Sequence, residues 1–156
     1  MSAAEVSESD ASARGRTVAI VAARFNDLIV SSLLKGARGA WAERGGANEE
    51  LLVVRVPGAF ELPVVARHLA GSGRYDAVVA LGCVIRGDTP HFDYVAGECA
   101  RGLQLAGLET GVPIIFGVLT VETLEQALER AATGAGNKGG ESMAAALEMA
   151  AIMDRL

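Results

Sequence analysis

Residues Ala77 to Ala106 read AVVALGCVIRGDTPHFDYVAGECARGLQLA, and this stretch decides the fold. It starts as a short apolar run over 77–81, of a length that suits a buried strand. It then passes Gly82 and Gly87 and repeats apolar residues at Val95, Cys99, Leu103 and Ala106, close to 3.6 residues per turn. A strand feeding an amphipathic helix through one short loop is half of a βαβ unit. Thr89 reads as the helix N-cap and Pro90 as the first helical residue, where a missing N–H is tolerated. The free amides of a helix start attract anions and disfavour a charged imidazole. His91, placed there, joins phosphate handling to proton transfer.

Outward from this stretch the same alternation repeats. Apolar residues over 17–23 predict a first strand, and the loop Arg24-Phe25-Asn26-Asp27 leads to a helix over about 28–44. That helix carries Val30, Leu33, Leu34, Ala37 and Trp41 on one face and stops at Gly45-Gly46. A second strand over 51–56 exits through Pro57-Gly58-Ala59-Phe60-Glu61 into a helix striped by Leu62, Val65, Ala66 and Leu69. The third strand is expected over 76–81 and the fourth over 113–119, followed by helices over about 122–132 and from 138 to the end. Strands alternating with helices mean parallel strands joined by right-handed crossovers. The fold expected is a three-layer α/β/α sandwich with a four-stranded parallel sheet of flavodoxin-like topology. Residues 1–15, small, polar and acidic, are expected to be a mobile tail, and 16–156 a single domain.

The two ends of that sheet differ in chemistry. Loops leading into the strands hold glycine and charge with nothing convergent. Loops leaving them hold Arg24, Phe25, Phe60, Glu61, Arg86, Asp88, Thr89 and His91, with Phe116 near the end of the fourth strand. Parallel sheets bind ligands outside the carboxyl ends of their strands, so the site belongs there. Phe25 and Phe60 would each pass as core residues, but only 4% of the chain is aromatic and both occupy exit loops, where a ring stacks on a flat ligand. Glu61 matches the dipole at a helix start. Arg130 lies off the face set by Leu124, Leu128 and Ala131, toward solvent, a neighbour or an anion. Lys138 opens the last helix, where a cation is unfavourable unless an anion or acidic partner is close. His68 reads as exposed.

Other classes are excluded by pattern. Gly134 to Gly140, GAGNKGG, is no phosphate loop, because its lysine precedes the glycine pair and no Ser or Thr follows in place. No GxGxxG opens the first helix, and a receiver domain would need acidic residues where Arg24 and Pro57 stand. With 14 Lys plus Arg against 19 Asp plus Glu, the formal charge of -5 does not suit nucleic acid. Two cysteines, Cys83 and Cys99, form neither a disulfide framework nor a metal site and suit a reducing, cytoplasmic setting. No apolar run approaches a membrane span, and the first residues lack the hydrophobic centre of a signal peptide. At 51% apolar residues, much hydrophobic surface is expected to meet other subunits.

Several blocks in fixed order resemble the 6,7-dimethyl-8-ribityllumazine synthases of riboflavin biosynthesis. They are RFN at 24–26, PGAFELP at 57–63, GCVIRGDTPHFDYV at 82–95, FGVLT at 116–120, EQALERA at 125–131 and AGNKG at 135–139. The resemblance implies condensation of 5-amino-6-(D-ribitylamino)uracil with 3,4-dihydroxy-2-butanone 4-phosphate, without metal or organic cofactor. It implies that Phe25 stacks on the pyrimidine, that Ala59, Phe60, Glu61, Cys83, Val84 and Ile85 line it, and that His91 moves protons. Asp88, through its backbone amide, and Thr89 would hold the phosphate with Arg130, while Phe116 and Lys138 complete the pocket from an adjacent subunit. It further implies a homo-oligomer, a pentamer that some members pack into 60-subunit shells, with riboflavin synthase as a candidate partner. Two other readings stay open: a non-catalytic flavin or lumazine carrier or shell protein of the same fold, and a homologous riboflavin synthase. His91, Arg130 and Lys138 argue against the carrier.

Overall fold

Every residue of the first strand, β1 (Val18–Ala23), is buried, as expected of a strand covered on both faces. The computed structural model describes residues 4–7 and 11–156. After β1 come α1 (Asp27–Glu43), β2 (Leu51–Val56), α2 (Leu62–Gly71), β3 (Ala77–Ile85), α3 (His91–Thr110), β4 (Ile114–Val121), α4 (Leu124–Arg130) and α5 (Lys138–Asp154). The four strands are parallel in the order β2-β1-β3-β4. Alternation of side chains divides the core in two. Val18, Ile20, Ala22, Val79, Leu81 and Leu119 face α1, α4 and α5, whereas Val21, Ala23, Val78, Ala80 and Val118 face α2 and α3. The result is the expected three-layer sandwich of flavodoxin-like order.

Close approach of α1 and α5 depends on two glycines. A Cβ on Gly139 would strike the carbonyl of Leu33, and one on Gly36 would strike the Asn137 side chain. Asn137 is buried, and its amide donates to the carbonyls of Ser32 and Ala131 at 3.1 Å each while its Oδ1 caps α5 at the Gly140 amide. One side chain thus ties together α1, the end of α4 and the start of α5.

Several expectations shift. β3 runs four residues beyond the expected 81, because β4 continues beside it from Gly82↔Val118 to Ile85↔Val121. Gly82 marks close packing against Leu62 and Val118 rather than a strand end. α3 starts at His91 with Pro90 in the cap position, at φ -69° and ψ 2°, so Thr89 is not the N-cap and Pro90 not the first helical residue. The Thr89 hydroxyl accepts instead from the His91 amide at 3.4 Å. On α4 the buried face is Ala127 and Ala131, with Leu124 and Leu128 exposed, since small residues let this short helix lie close to the sheet. Part of the expected mobile tail over 1–15 is packed against the domain. Ala11 and Ala13 are buried, the Ala13 amide bonds the Arg44 carbonyl at 3.0 Å, and Arg16 pairs with Asp154 at 2.6 Å. Residues 4–7 are exposed and form no helix or strand, with the Ser7 carbonyl accepting from Arg155 at 3.1 Å, and positions 1–3 and 8–10 of that expectation lie outside the described residues.

Candidate active site

Chain reversal places a crevice at the carboxyl edge of the sheet. From β1 the chain crosses to β2 on one side and then to β3 on the other, and this switch point leaves a gap between diverging exit loops. A pocket of about 730 Å³ occupies it. Its walls come from the β1 exit (Phe25, Asn26), the β2 exit (Pro57 to Glu61) and the end of β3 with the start of α3 (Cys83 to Ile85, Gly87, Thr89, His91, Phe92).

Asn26 sets the geometry of the first wall. It is the one described non-glycine residue with positive φ, at φ 63° and ψ 47°, a region asparagine tolerates better than most residues. Its side-chain amide donates to the Cys83 carbonyl at 2.8 Å, so the exits of β1 and β3 are bolted together. The Phe25 amide meanwhile bonds the Pro57 carbonyl at 3.0 Å, extending the β1–β2 ladder. The backbone of Phe25 is therefore held on one side and its ring projects outward, 71% exposed, with the Phe60 ring at 57%. Two bare rings of this kind, on a chain so poor in aromatics, form a platform for a planar ligand. Apart from Asn26 and the Cys83 thiol, the polar side chains that line the pocket are Glu61, Thr89, His91 and Tyr94.

The Cys83 thiol is buried, and burial pushes its pKa up to about 11. It stays protonated at neutral pH and is no nucleophile there. Cys99, also pushed by burial to about 11, lies in the core on the other face of the sheet, so the two sulfurs have no means to meet.

Phe25, Ala59, Phe60, Glu61, Cys83, Val84, Ile85, Thr89 and His91 are brought together; Asp88, Phe116, Arg130 and Lys138 are not. Asp88 is exposed, between Gly87 and Thr89, which do line the pocket. Phe116 is the third residue of β4, paired with Ala80, rather than near the strand end as expected. It stands five positions before Val121, or about 16 Å along the strand. Arg130 closes α4, its guanidinium donating to the Gln126 carbonyl at 3.0 Å, and Lys138 opens α5, 3.9 Å from Glu141. All three follow from β4, the edge strand opposite β2. Residues not foreseen at the site include Asn26, Gly87 and Phe92. An asparagine between a strand and a helix was a readable signal for the left-handed residue.

Fold and pocket together define a flavodoxin-like α/β protein with two exposed aromatic rings and a helix start at the carboxyl edge of its sheet. The family model described as 6,7-dimethyl-8-ribityllumazine synthase matches residues 15–154. A curated 6,7-dimethyl-8-ribityllumazine synthase of Nitratidesulfovibrio vulgaris strain Miyazaki F is 54% identical over 144 residues, covering 92% of each chain. That of strain DP4 is 53% identical over 149 residues, covering 96% of each. The chain belongs to the 6,7-dimethyl-8-ribityllumazine synthase family. Its activity is that of a transferase in riboflavin biosynthesis. Among the described residues no helix is long and apolar enough to cross a membrane.

Proposed function

We propose that this pocket stacks 5-amino-6-(D-ribitylamino)uracil on Phe25 and places 3,4-dihydroxy-2-butanone 4-phosphate at the start of α3, between Thr89 and His91. Phe116, Arg130 and Lys138 of an adjacent copy complete the site. The observation that carries this reading is the separation within one chain: the aromatic platform and His91 line the crevice at the strand exits, while Arg130 and Lys138 lie outside it, at the end of α4 and the start of α5 on the α1 face of the sheet. A pocket on one copy and a different face on the next make a head-to-tail contact, the kind from which closed rings are built. The ring is taken to be a pentamer, able to pack into a 60-subunit shell, of single-domain chains (16–156) working in the cytoplasm, with riboflavin synthase as partner.

The aromatic amine and the ketone lose water to form an imine. A proton leaves carbon and phosphate departs, and the ribityl-bearing nitrogen then closes the second ring with loss of a second water. His91, at the pocket rim, takes and returns the protons. Asp88 contributes its backbone amide, its side chain being turned to solvent, and Arg130 neutralises the departing phosphate. Glu61 and the edges of Ala59, Phe60 and Cys83 to Ile85 orient the pyrimidine. Most of the rate comes from holding two reactive molecules together, with proton transfer added to it.

His91→Ala is therefore expected to lower kcat by about 10²-fold while leaving measurable turnover. Steady-state rates of lumazine formation, followed by absorbance, check this. Complete loss in a folded, correctly assembled variant would overturn the division of labour.

A further inference from the structure

Between Ile85 and His91 the chain has little to hold it. Among the described residues the amides of Gly87, Asp88 and Thr89 have no hydrogen-bond partner, and the segment contains a glycine. Open amides of this kind suit an anion only if the loop is kept in shape. The residue that begins the segment, Arg86, makes contacts in three directions. Its Nε meets Glu122 Oε2 at 2.8 Å, its Nη1 meets Asp93 Oδ1 at 3.3 Å, and its Cζ lies 4.4 Å from the centre of the Phe92 ring. Its backbone amide bonds the Val121 carbonyl at 2.9 Å, the last rung of the β3–β4 ladder. Glu122 is itself anchored, because its amide bonds the Gln126 side chain of α4 at 2.8 Å. Asp93 and Phe92 belong to the first turn of α3, and Phe92 lines the pocket.

We propose that Arg86 is a positioning residue for the reaction: it clamps the start of α3 to the end of β4 and so fixes the Gly87 to His91 segment that receives the phosphate of the second substrate. The ion pairs are too exposed to add much stability, the Arg86 side chain being 40% accessible and both carboxylates 60%. Their effect is geometric. A planar guanidinium can lie on a ring and still reach two carboxylates, which an ammonium cannot do, so lysine is a poor substitute. Arg86 touches neither the platform of Phe25 nor the β2 exit, and the pyrimidine half of the site should not register its loss.

The inference rests on the reading that the start of α3 receives phosphate, and the test separates the two. Arg86→Met is expected to raise KM for 3,4-dihydroxy-2-butanone 4-phosphate about tenfold, to leave KM for the aminouracil within about twofold and to melt within a few degrees of the parent. Arg86→Lys is expected to recover less than half of the loss. Glu122→Gln should move the same constant in the same direction, and adding it to Arg86→Met should change little further. Equal rises in both KM values, or an unmoved KM for the phosphate substrate, would overturn the clamp. Competitive inhibition by inorganic phosphate against that substrate in the parent tests the underlying reading alone. Absence of competition would remove both, whereas competition with an unmoved Arg86→Met would remove only the clamp. If Arg86→Met does not assemble, Asp93→Asn and Glu122→Gln supply the same comparison.

Discussion

Gly139→Ala is expected to destabilise the fold by about 3–5 kcal/mol, lowering Tm by roughly 10 °C or more. The Cβ would meet Leu33 of α1 at its carbonyl oxygen, carbonyl carbon and Cα, all backbone atoms that a rotamer change cannot move aside. Relief requires α5 to back away from α1. Leu33, Ala37, Met143, Ala146 and Leu147, all fully buried between these helices and the sheet, would then lose contact. The Asn137 network would open with them, because its amide reaches the Ser32 carbonyl of α1. That contact would be left without its partner, costing about 1–3 kcal/mol if water does not replace it. Thermal melting by circular dichroism checks the effect, and a variant that melts with the parent would contradict this account of the α1–α5 contact.

Arg130→Ala is expected to do the opposite, leaving the fold alone and lowering kcat/KM for the butanone phosphate by about 10³-fold. Among the described residues the guanidinium, about half exposed, hydrogen-bonds only the Gln126 carbonyl of its own helix, with Glu129 no nearer than 3.9 Å. An ion pair that long on the surface contributes little to stability, so Tm should stay within a degree or two. A half-exposed charged fork whose one nearby carboxylate, among the described residues, is the loosely paired Glu129 is suited to an incoming phosphate. Arg130→Lys should recover part of the activity, since the charge returns without the bidentate geometry. Steady-state kinetics on both variants decide it, and an unchanged kcat/KM for Arg130→Ala would take the phosphate role from this residue.

Periodicity made the architecture readable. The stripes at Val30, Leu33, Ala37 and Trp41 and at Cys99, Leu103 and Ala106 are the buried faces of α1 and α3, and the apolar runs are the four strands. It failed where two periodic patterns coincide. On α4 and its C-terminal cap, Leu124 with Leu128 and Ala127 with Ala131 fit a helix face equally well, and hydrophobicity favoured the pair that lies outside. Gly82 misled for a different reason: a glycine reads as a break, yet here the missing side chain makes room for Leu62 and Val118 inside a strand. That Phe25 and Phe60 line the pocket was legible because exit loops of parallel sheets border the crevice at the carboxyl ends of the strands. The positions of Phe116, Arg130 and Lys138 were not, since which edge of the sheet a residue joins depends on strand order, which no local pattern carries. Arg86 was legible as an exit-loop cation, but its partners Asp93 and Glu122 become neighbours only when β3 and β4 pair.

The central claim is that each site takes its platform from one copy and its Arg130 from the next. Co-assembly of His91→Ala chains with Arg130→Ala chains, denatured together in equal amounts and refolded, tests it most directly. Random mixing places a native pocket against a native edge in roughly one site in four, so activity should rise to about a quarter of the parent's, far above either variant alone. Activity that stays at the average of the two variants would mean that both residues act within one chain, and the shared site would have to be abandoned.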